Sequence, residues 1–404
     1  MQINKTQKLQ HVRYDLRGPI SDEADRLERA GIQIIRLNTG NPAAFGFPAP
    51  PSVLDNLTKF ADTSVPYSGT KGLLHVREAI AAYCGAIGLP NVGVEDIYTG
   101  NGVSEMIKIS LQALLNNNDE VLVPTPDYPL WTAATLLAGG KAVHYMCDEQ
   151  SDWFPDMEDM RRKITPRTRA IVLINPNNPT GAVYPRELLQ SIVDLAREHD
   201  LVLFSDEIYD RLLLDDAEHI PLASLAPDLF TVHFNGLSKS HQICGYRAGW
   251  MVLCGDKSGA GGYIEGINTL ASLRLCSNVT GQSVIPAALA DSASARANCL
   301  PGGRLYEQRA YAYDALKTIP GISVVKPRAG LYMFPKIDTD MYGITDDEQF
   351  VLDFLREKHV LLSHGRGFNW KQPDHFRMVY LPRMEELVQV MDRLRDFLRG
   401  YRQG

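Results

Sequence analysis

The most informative feature of this sequence is a lysine that directly follows an apolar strand. It constrains both the fold and the chemistry of the chain. The β-rich run at residues 229–234 ends in a small polar turn with Ser238 and Lys239, and Arg247 follows eight residues after the lysine. Desolvation lowers the pKa of an amine and frees its lone pair to attack a carbonyl. A hydroxyl and a planar guanidinium can both bind phosphate. The stretch therefore suggests pyridoxal phosphate (PLP) chemistry, although a Ser-Lys pair alone is common in loops.

Composition narrows the class of protein. The chain has 404 residues, 45% of them apolar and 22% charged, which is typical of a globular protein of two or three domains. A formal net charge of −7 argues against nucleic acid as a general partner. No apolar run approaches the roughly 20 residues of a membrane span, and the N-terminus lacks the apolar core of a signal peptide. The six cysteines lack C-x-x-C spacing, so we expect reduced thiols, no metal site and a cytoplasmic location.

Strand and helix patterns alternate from about residue 95 to residue 255. This alternation predicts an α/β fold with a parallel sheet covered on both faces. The runs at residues 169–174 and 201–204 are apolar without a period of two, as expected for strands buried on both faces. Residues 264–316 are mostly helical, and the remaining sequence has a different rhythm of short strands and helices. The C-terminal part is therefore predicted to be a separate, smaller unit.

Polar residues follow several predicted strands of the sheet. Gly102 opens a turn into a helix, whose free N–H groups can bind phosphate. Asn178 can donate to a ligand oxygen or cap its own turn. Asp206 can pair with a cationic ring nitrogen of a ligand or form a structural salt bridge. The presence of Lys239 at the end of the next strand favours the pairing with a ligand. These strand ends meet at one edge of a parallel sheet, so we expect Gly102, Asn178, Asp206 and Lys239 to surround one ligand.

Four further residues are candidates for contact with the ligand or the substrate. For three of them a purely structural role is also open. Tyr128 can stack on a flat ring or fill a gap between helix and sheet. Tyr209, three residues after Asp206, can face the same ligand. Gly40 can serve a plain turn or contact substrate. Arg377 lies in an apolar strand, where its charge needs a carboxylate from the protein or from a substrate.

Several motifs in combination resemble those of class I aminotransferases, which are PLP enzymes of fold type I. They are NPNNPTG at residues 175–181, SDEIY at 205–209, and SK at 238–239 with G-x-R at 245–247. A second set looks closer to the bacterial glutamate–pyruvate (alanine) aminotransferases: YD-x-RG at 14–18, NPA-x-FGF at 41–47, PDYPLW at 126–131, SDWFP at 151–155 and YMFPK at 332–336. The similarity extends over nearly the whole chain.

The resemblance implies a fold type I architecture. A large PLP-binding domain would span residues 47–295 and contain a mostly parallel seven-stranded sheet. A smaller α+β domain would span residues 296–404, and residues 1–46 would form an N-terminal arm and part of the small domain. The resemblance also implies a homodimer with its active sites at the subunit interface, with no nucleic-acid or membrane partner.

The resemblance also implies roles for individual residues. Lys239 would bind PLP as an internal aldimine and then move the substrate proton, while Asp206 would keep the pyridine nitrogen protonated. Asn178 and Tyr209 would bind the ring oxygen, and Tyr128 would stack on the ring. The phosphate would be held by Gly102, Val103, Ser104, Ser238 and Arg247, with Tyr67 reaching over from the partner subunit. The substrate would meet Arg377 at its α-carboxylate, with Gly40 and Asn178 beside it and Tyr14 and Arg17 closing over it.

The implied reaction is transfer of an amino group from L-alanine to 2-oxoglutarate, giving pyruvate and L-glutamate with ping-pong kinetics. Alternatives are an aromatic or branched-chain amino donor, a PLP-dependent lyase or decarboxylase, and a non-catalytic regulator. Two stretches depart from the alanine-enzyme pattern: SHQIC at residues 240–244, with His241 and Gln242, and SHGRGF at 363–368. The second carries Arg366 near the expected position of the substrate side chain, so the amino-acid preference stays open.

Overall fold

A computed structural model describes residues 3–10, 12 and 18–404. Over these residues the chain contains fifteen α-helices. They are α1 (Pro19–Arg29), α2 (Pro51–Lys59), α3 (Leu74–Ala86), α4 (Val103–Leu114), α5 (Leu130–Leu137), α6 (Met157–Lys163), α7 (Arg186–Glu198), α8 (Gly261–Leu273), α9 (Val279–Ser283), α10 (Ile285–Ala290), α11 (Ser292–Ala297), α12 (Arg304–Lys317), α13 (Thr339–Tyr342), α14 (Asp347–Lys358) and α15 (Met384–Gly400). None of the helices in this described part is both long enough and apolar enough to cross a membrane.

The same residues form fifteen β-strands. They are β1 (Ile35–Arg36), β2 (Ile97–Asn101), β3 (Glu120–Thr125), β4 (Lys141–Asp148), β5 (Phe154–Pro155), β6 (Thr168–Ile174), β7 (Val202–Asp206), β8 (Thr231–Gly236), β9 (Ala248–Cys254), β10 (Ile322–Ser323), β11 (Tyr332–Met333), β12 (Lys336–Ile337), β13 (Val360–Leu361), β14 (Ser363–His364) and β15 (Phe376–Val379).

The large sheet has the strand order β2-β9-β8-β7-β6-β3-β4-β5. Its inner neighbours β4, β3, β6, β7 and β8 are parallel, while β9 is antiparallel to both β8 and β2. The predicted mostly parallel sheet is therefore confirmed. The predicted count of seven strands is wrong by one, because β5 adds a two-residue antiparallel edge against β4. So short a strand carries no periodic pattern from which it can be predicted.

Both faces of the large sheet are covered, which explains its uninterrupted apolar strands. Along β6, Val172 and Ile174 pack into a core with α4, α5 and α8, whereas Ile171 and Leu173 pack into another core with α7. Successive side chains of a strand point to opposite faces, so each face must be apolar when both are buried. The sheet is thus a rigid platform whose strand ends can position functional groups.

The C-terminal part has its own hydrophobic core around the antiparallel sheet β11-β15-β14 and helices α12, α14 and α15. In α15 the predicted apolar face is confirmed, since Leu387, Met391, Leu394 and Leu398 are all buried. The predicted cap at Gly400 is wrong, because the helix continues through that residue. Near the N-terminus, β1 pairs in parallel with β13 and so joins the C-terminal part. The predicted domain bounds remain a prediction.

Candidate active site

The carboxyl ends of β6, β7 and β8 open into one cavity of about 320 Å³, hereafter the main cavity. Most of the residues predicted from the sequence line it: Gly40, Val103, Ser104, Tyr128, Asn178, Asp206, Tyr209, Ser238, Lys239, Arg247 and Arg377. Parallel strands place their carboxyl ends along one edge of a sheet, which is where ligands bind in open α/β folds. The predicted convergence of strand-end residues is thus present in the fold.

Lys239 lies three residues beyond the end of β8 and is half-buried. Its Nζ donates a hydrogen bond of 2.6 Å to the carbonyl of Gly40, and it lies 3.8 Å from Sγ of Cys244. The Cys244 thiol in turn donates to the Ser238 carbonyl at 2.8 Å. The amine therefore points into the main cavity together with Asp206 rather than into bulk solvent.

Asp206 ends β7 and is almost fully buried. The indole Nε1 of Trp131 donates to its Oδ2 at 3.1 Å, and the backbone N–H of Ile208 donates to Oδ1 at 3.4 Å. Burial raises the pKa of Asp206 to about 6, and these hydrogen bonds oppose the rise. A desolvated carboxylate of this kind gains strongly from a cationic partner in the cavity.

Glu207, the next residue, belongs to a buried ionic cluster behind the site. Its Oε2 lies 3.2 Å from Nε2 of His219 and 3.4 Å from Nδ1 of His233, while Ser205 donates to Oε1 at 2.7 Å. Burial alone would raise the pKa of Glu207, but the two histidines outweigh it and hold that pKa well below its ordinary value. The negative charge of Glu207 also contributes to the raised pKa of Asp206.

Arg377 lies in β15, opposite Ser363 of β14. Its Nη1 donates to Oδ1 of Asn178 at 3.2 Å and its Nη2 donates to the carbonyl of Asn38. The guanidinium lies over the rings of Tyr332 and Phe368, 4.4 and 4.5 Å from their centroids. These contacts orient the guanidinium at the wall of the main cavity, where it can form a bidentate pair with a carboxylate.

Tyr209 and Gly40 meet at Tyr332. The Tyr209 hydroxyl donates to the Tyr332 hydroxyl at 3.0 Å, and burial raises the pKa of Tyr209 well above its ordinary value. A Cβ at Gly40 would lie 2.0 Å from the Tyr332 hydroxyl oxygen. Only glycine therefore fits at position 40. The contact with Tyr332 explains this glycine better than the requirements of a turn do.

The turn from β2 into α4 forms the other end of the main cavity. Gly102 has a φ of 75°, and a Cβ there would lie 2.5 Å from Nη2 of Arg247. The Arg247 guanidinium is held by the carbonyls of Cys244 and Asn101, at 2.9 and 3.2 Å. Val103 and Ser104, at the start of α4, line the cavity beside it. Free N–H groups at a helix start next to a guanidinium can hold an anionic group such as phosphate.

Two predicted site residues do not line the main cavity, and two others lie outside the described residues. Gly102 stands directly behind Val103, and Tyr67 is 80% exposed. Tyr14 and Arg17 lie outside the described residues.

The two unusual stretches have structural explanations. Arg366 donates to the carboxylates of Asp346 and Asp347 and does not line the main cavity. That it lies near the substrate side chain stays a prediction. Asp347 is almost fully buried and needs a cation, which explains this placement. His241 is buried, with Nδ1 2.9 Å from the Ser240 hydroxyl, and Gln242 donates to the Ser240 carbonyl.

Sequence reasoning did not assign a site role to several residues that contribute to it. Those lining the main cavity include Asn38, Thr39, Cys244, Tyr332, His364 and Phe368, and Trp131 contacts Asp206 from behind. Trp131, Tyr332, Cys244, His364 and Phe368 belong to the sequence stretches named above, which is the signal that could have found them. Asn38 and Thr39 directly precede Gly40 in the chain.

Comparison with known proteins agrees with this geometry. A model of the family "Aminotransferase class I and II" matches residues 32–394. The glutamate-pyruvate aminotransferase AlaA of Escherichia coli strain K12 is 56% identical over 401 residues, covering 99% of both chains. An alanine aminotransferase of Mycobacterium bovis is 52% identical over 397 residues, covering 98% of this chain and 92% of the relative.

Solved structures give the same result. The crystal structure of an aminotransferase from E. coli superposes with a TM-score of 0.99 at 56% identity over the whole of both chains. An alanine aminotransferase from Pyrococcus furiosus superposes with a TM-score of 0.93 at 37% identity, covering 98% of this chain and all of the other. The fold, the cavity and these relatives together show that the chain belongs to the class I and II aminotransferase family.

Proposed function

We propose that this aminotransferase transfers an amino group from L-alanine to 2-oxoglutarate, giving pyruvate and L-glutamate, with PLP as its cofactor. The observation that carries the proposal is the meeting of Lys239, Asp206 and Arg377 in one cavity. An amine, a buried carboxylate and a substrate-binding guanidinium are the groups that this chemistry requires. The choice of alanine and 2-oxoglutarate is supported by the named activities of the relatives at 52% and 56% identity.

The residues of the main cavity fit PLP. Asp206 is desolvated, with a pKa raised to about 6, so a cationic ring nitrogen would relieve its burial. A Cβ at Gly102 would collide with the Arg247 guanidinium. The glycine therefore lets this guanidinium lie at the start of α4, where it can bind a phosphate. Asn178 and Tyr209 would bind the ring oxygen, and Tyr128 lines the cavity where it would stack on the ring. PLP supplies an aldehyde for covalent attachment of the amino group and an electron sink for the carbanion.

The remaining tasks belong to the protein's own side chains. Arg377, oriented by Asn178 and the two aromatic rings, binds the α-carboxylate. This anchors the substrate with its α-carbon toward Lys239, which accepts the α-proton as a general base. The phosphate would be held by Gly102, Val103, Ser104, Ser238 and Arg247. Both substrates use the same cavity in turn, so we expect ping-pong kinetics.

We further propose a homodimer in which Tyr67 of each subunit reaches the phosphate of the other. Tyr67 is 80% exposed and does not line the cavity of its own chain. Val65, Leu273 and Leu275 are also strongly exposed. Arg274, between the two leucines, donates to the Thr70 carbonyl at 3.3 Å, so the segments that carry these exposed side chains contact each other. A contiguous exposed apolar patch is typical of a subunit interface.

Two broader proposals complete the description of the protein. We propose that the large domain spans residues 47–295 and the small domain residues 296–404, which is supported by the separate hydrophobic core around α12, α14 and α15. We also propose that the enzyme acts in the cytoplasm, because all six cysteines are free thiols in the described chain.

The central experiment combines purified protein with L-alanine and 2-oxoglutarate and measures pyruvate. The wild type should form pyruvate and glutamate and carry a yellow cofactor, and Lys239→Ala should lose both turnover and colour. Lys257→Ala is a suitable control, since Lys257 lies 3.3 Å from Asp96 and does not line the main cavity. An active, yellow Lys239→Ala protein would refute the assignment.

The alternatives have distinct outcomes in the same assay. Steady release of ammonia without pyruvate would indicate a lyase. A screen of amino donors against pyruvate and 2-oxoglutarate would detect an aromatic or branched-chain preference.

A further inference from the structure

Asp127 is a buried acidic residue beside the main cavity that has no role in the proposed function. It lies just after β3, directly before Tyr128, and is 0% exposed. Its Oδ1 accepts a hydrogen bond of 2.7 Å from Nδ2 of Asn369, and its Oδ2 accepts one of 2.8 Å from the Thr132 hydroxyl. Burial raises the pKa of Asp127 to about 7, and these hydrogen bonds oppose the rise. A buried carboxyl group with neutral partners costs stability, so packing alone does not explain it.

The side chain of Asn369 joins this carboxyl group to the C-terminal part of the chain. Asn369 ends the short turn Gly365–Phe368 with a φ of 57°, in the left-handed region that asparagine tolerates. Its carbonyl accepts from the Thr125 hydroxyl at 2.7 Å, and the backbone N–H of Asp127 donates to the Phe368 carbonyl at 2.9 Å. Three hydrogen bonds thus connect residues 125–127 with residues 368–369, hereafter the Asp127–Asn369 junction.

The residues beside this junction line the main cavity from two sides. Tyr128 directly follows Asp127, Phe368 directly precedes Asn369, and both line the cavity. The Phe368 ring lies 4.5 Å from the Arg377 guanidinium. The junction therefore fixes the position of Tyr128 relative to the ring that packs against Arg377.

The proposed reaction needs this spacing to be fixed. The cofactor ring would depend on Tyr128, at the end of β3, whereas the α-carboxylate would depend on Arg377, in β15. These two strands belong to different sheets. The α-carbon must meet Lys239 between them, and a displacement of about 1 Å can cost about a hundredfold in rate.

We propose that Asp127 is a positioning residue that acts through Asn369 and holds Tyr128 and Phe368 at the spacing the reaction requires. This inference rests on the proposed function and adds to it a residue that does not line the main cavity. Hydrogen bonds behind a site fix the side chains that contact the ligand. Loss of the junction should therefore weaken binding of both the amino acid and PLP.

The kinetic test removes the junction from each side. Asp127→Ala removes the acceptor, and Asn369→Gly removes the side-chain donor while keeping the left-handed backbone. KM for alanine should rise about tenfold in each variant with a smaller change in kcat, as expected for loss of a hydrogen bond to a buried polar group. The double variant should show no larger rise than the single variants, because both changes remove the same bond.

Two further variants separate positioning from folding. Asp127→Asn keeps a side-chain oxygen for Asn369 and should recover most of the KM of the wild type. Asp119→Ala is the matched control, since Asp119 lies just before the other end of β3, is 7% exposed and accepts from Arg169 at 3.1 Å. It should lower the free energy of unfolding and leave KM unchanged.

A binding test does not depend on turnover. Fluorescence titration of the cofactor-free protein with PLP should show an affinity about fivefold lower in Asp127→Ala. Circular dichroism in the visible range should show a weaker band of the bound cofactor, because Tyr128 no longer fixes the ring. Asp119→Ala should match the wild type in both measurements.

The two proposals can fail separately. A wild type that forms no pyruvate refutes the proposed function, and the PLP titration and circular dichroism then still decide the role of Asp127. Wild-type KM and PLP affinity in Asp127→Ala would overturn that role. Equal losses in Asp119→Ala, or effects of Asp127→Ala and Asn369→Gly that multiply in the double variant, would overturn it as well.

Discussion

At the scale of single residues, Asp206 shows a conflict between stability and function. It lies at the end of a buried strand with an indole N–H and a backbone N–H as its polar contacts. Burial raises its pKa to about 6, compared with an ordinary value of 3.8. A residue selected only for stability would not be a carboxylate at this place. A cationic ligand that pairs with Asp206 would explain its placement.

This conflict leads to a prediction for the cofactor-free protein. The raised pKa means that the stability from neutral Asp206 is fully present below pH 3.8 and is lost as the pH rises through about 6. Asp206→Asn should therefore raise the free energy of unfolding at pH 8 by up to about 3 kcal/mol, and the gain should vanish near pH 4.

The holoenzyme of the same variant should show a kcat at least about a hundredfold lower than that of the wild type, because a carboxylate is no longer present to stabilise a ring cation.

Denaturant unfolding at several pH values measures this effect. Asp228→Asn is the control, since exposed Asp228 pairs with Arg197 at 2.7 Å and its replacement should not stabilise the protein. An Asp206→Asn protein that is less stable than the wild type at pH 8 would contradict the prediction.

Arg377 provides a second prediction at this scale. Arg377→Ala removes the charge-assisted bond to the α-carboxylate, which is worth about 1.5–3 kcal/mol, so KM for every α-amino acid should rise about tenfold or more. Arg377→Lys should reverse only part of this rise in KM, because an ammonium group cannot form a bidentate pair with a carboxylate. Steady-state kinetics with alanine and glutamate test both variants, and an unchanged KM in Arg377→Ala would remove the assigned role.

At the scale of elements, the turn from β2 into α4 is built around one glycine. Gly102 combines a positive φ with a close approach to Arg247, so a side chain there would be strained and would displace the guanidinium. The antiparallel pairing of β2 with β9 brings these two residues together from distant parts of the chain. The turn, the start of α4 and Arg247 would therefore form one anion-binding unit in the proposed function.

Gly102→Ala tests this unit. The affinity for PLP should fall about tenfold or more, since about 1–3 kcal/mol of backbone strain adds to the displacement of Arg247. Gly85→Ala is the control, because Gly85 lies in α3 with open space around its Cα and should leave PLP affinity unchanged. Fluorescence titration with PLP measures both variants. Equal affinities of Gly102→Ala and the wild type would show that the turn does not hold the phosphate.

At the scale of the whole molecule, a buried histidine joins the C-terminal part to the large sheet. Nδ1 of His375 lies 2.7 Å from Asp374, and Nε2 lies 3.5 Å from Glu149 at the end of β4. Its ring stacks on Phe334 and meets Trp153 edge-on. Burial alone would lower the pKa of His375, but the two carboxylates outweigh it and the pKa lies above its ordinary value.

The pH dependence of stability should reflect this junction. A raised pKa means that the stabilisation by His375 is fully present below about pH 6.5 and is lost as the pH rises through the higher folded value. His375→Asn should lower the free energy of unfolding by about 3 kcal/mol at pH 6 and by less at pH 9. Thermal unfolding between these pH values measures the difference, and a loss that does not depend on pH would contradict the ionic role.

Much of the site follows from the sequence because of a simple geometric rule. Lys239, Asp206 and Asn178 each follow an apolar run, and parallel strands present their ends at one edge. The buried sheet and the apolar face of α15 follow from periodicity in the same way. These inferences use only local patterns and one rule of connection, so they do not require the packing to be known.

Other features depend on which distant side chains meet. Trp131 donates to Asp206 across 75 positions in the sequence, and Asp347 pairs with Arg366 across 19 positions. The resemblance suggested that Arg366 lies near the substrate side chain, because residues 363–368 depart from the alanine-enzyme pattern. Local patterns determined the strands, the lysine and the strand-end carboxylate. Only the tertiary structure decided which charges are paired with each other and which face the substrate, because ion pairing in a buried site depends on three-dimensional distance and desolvation.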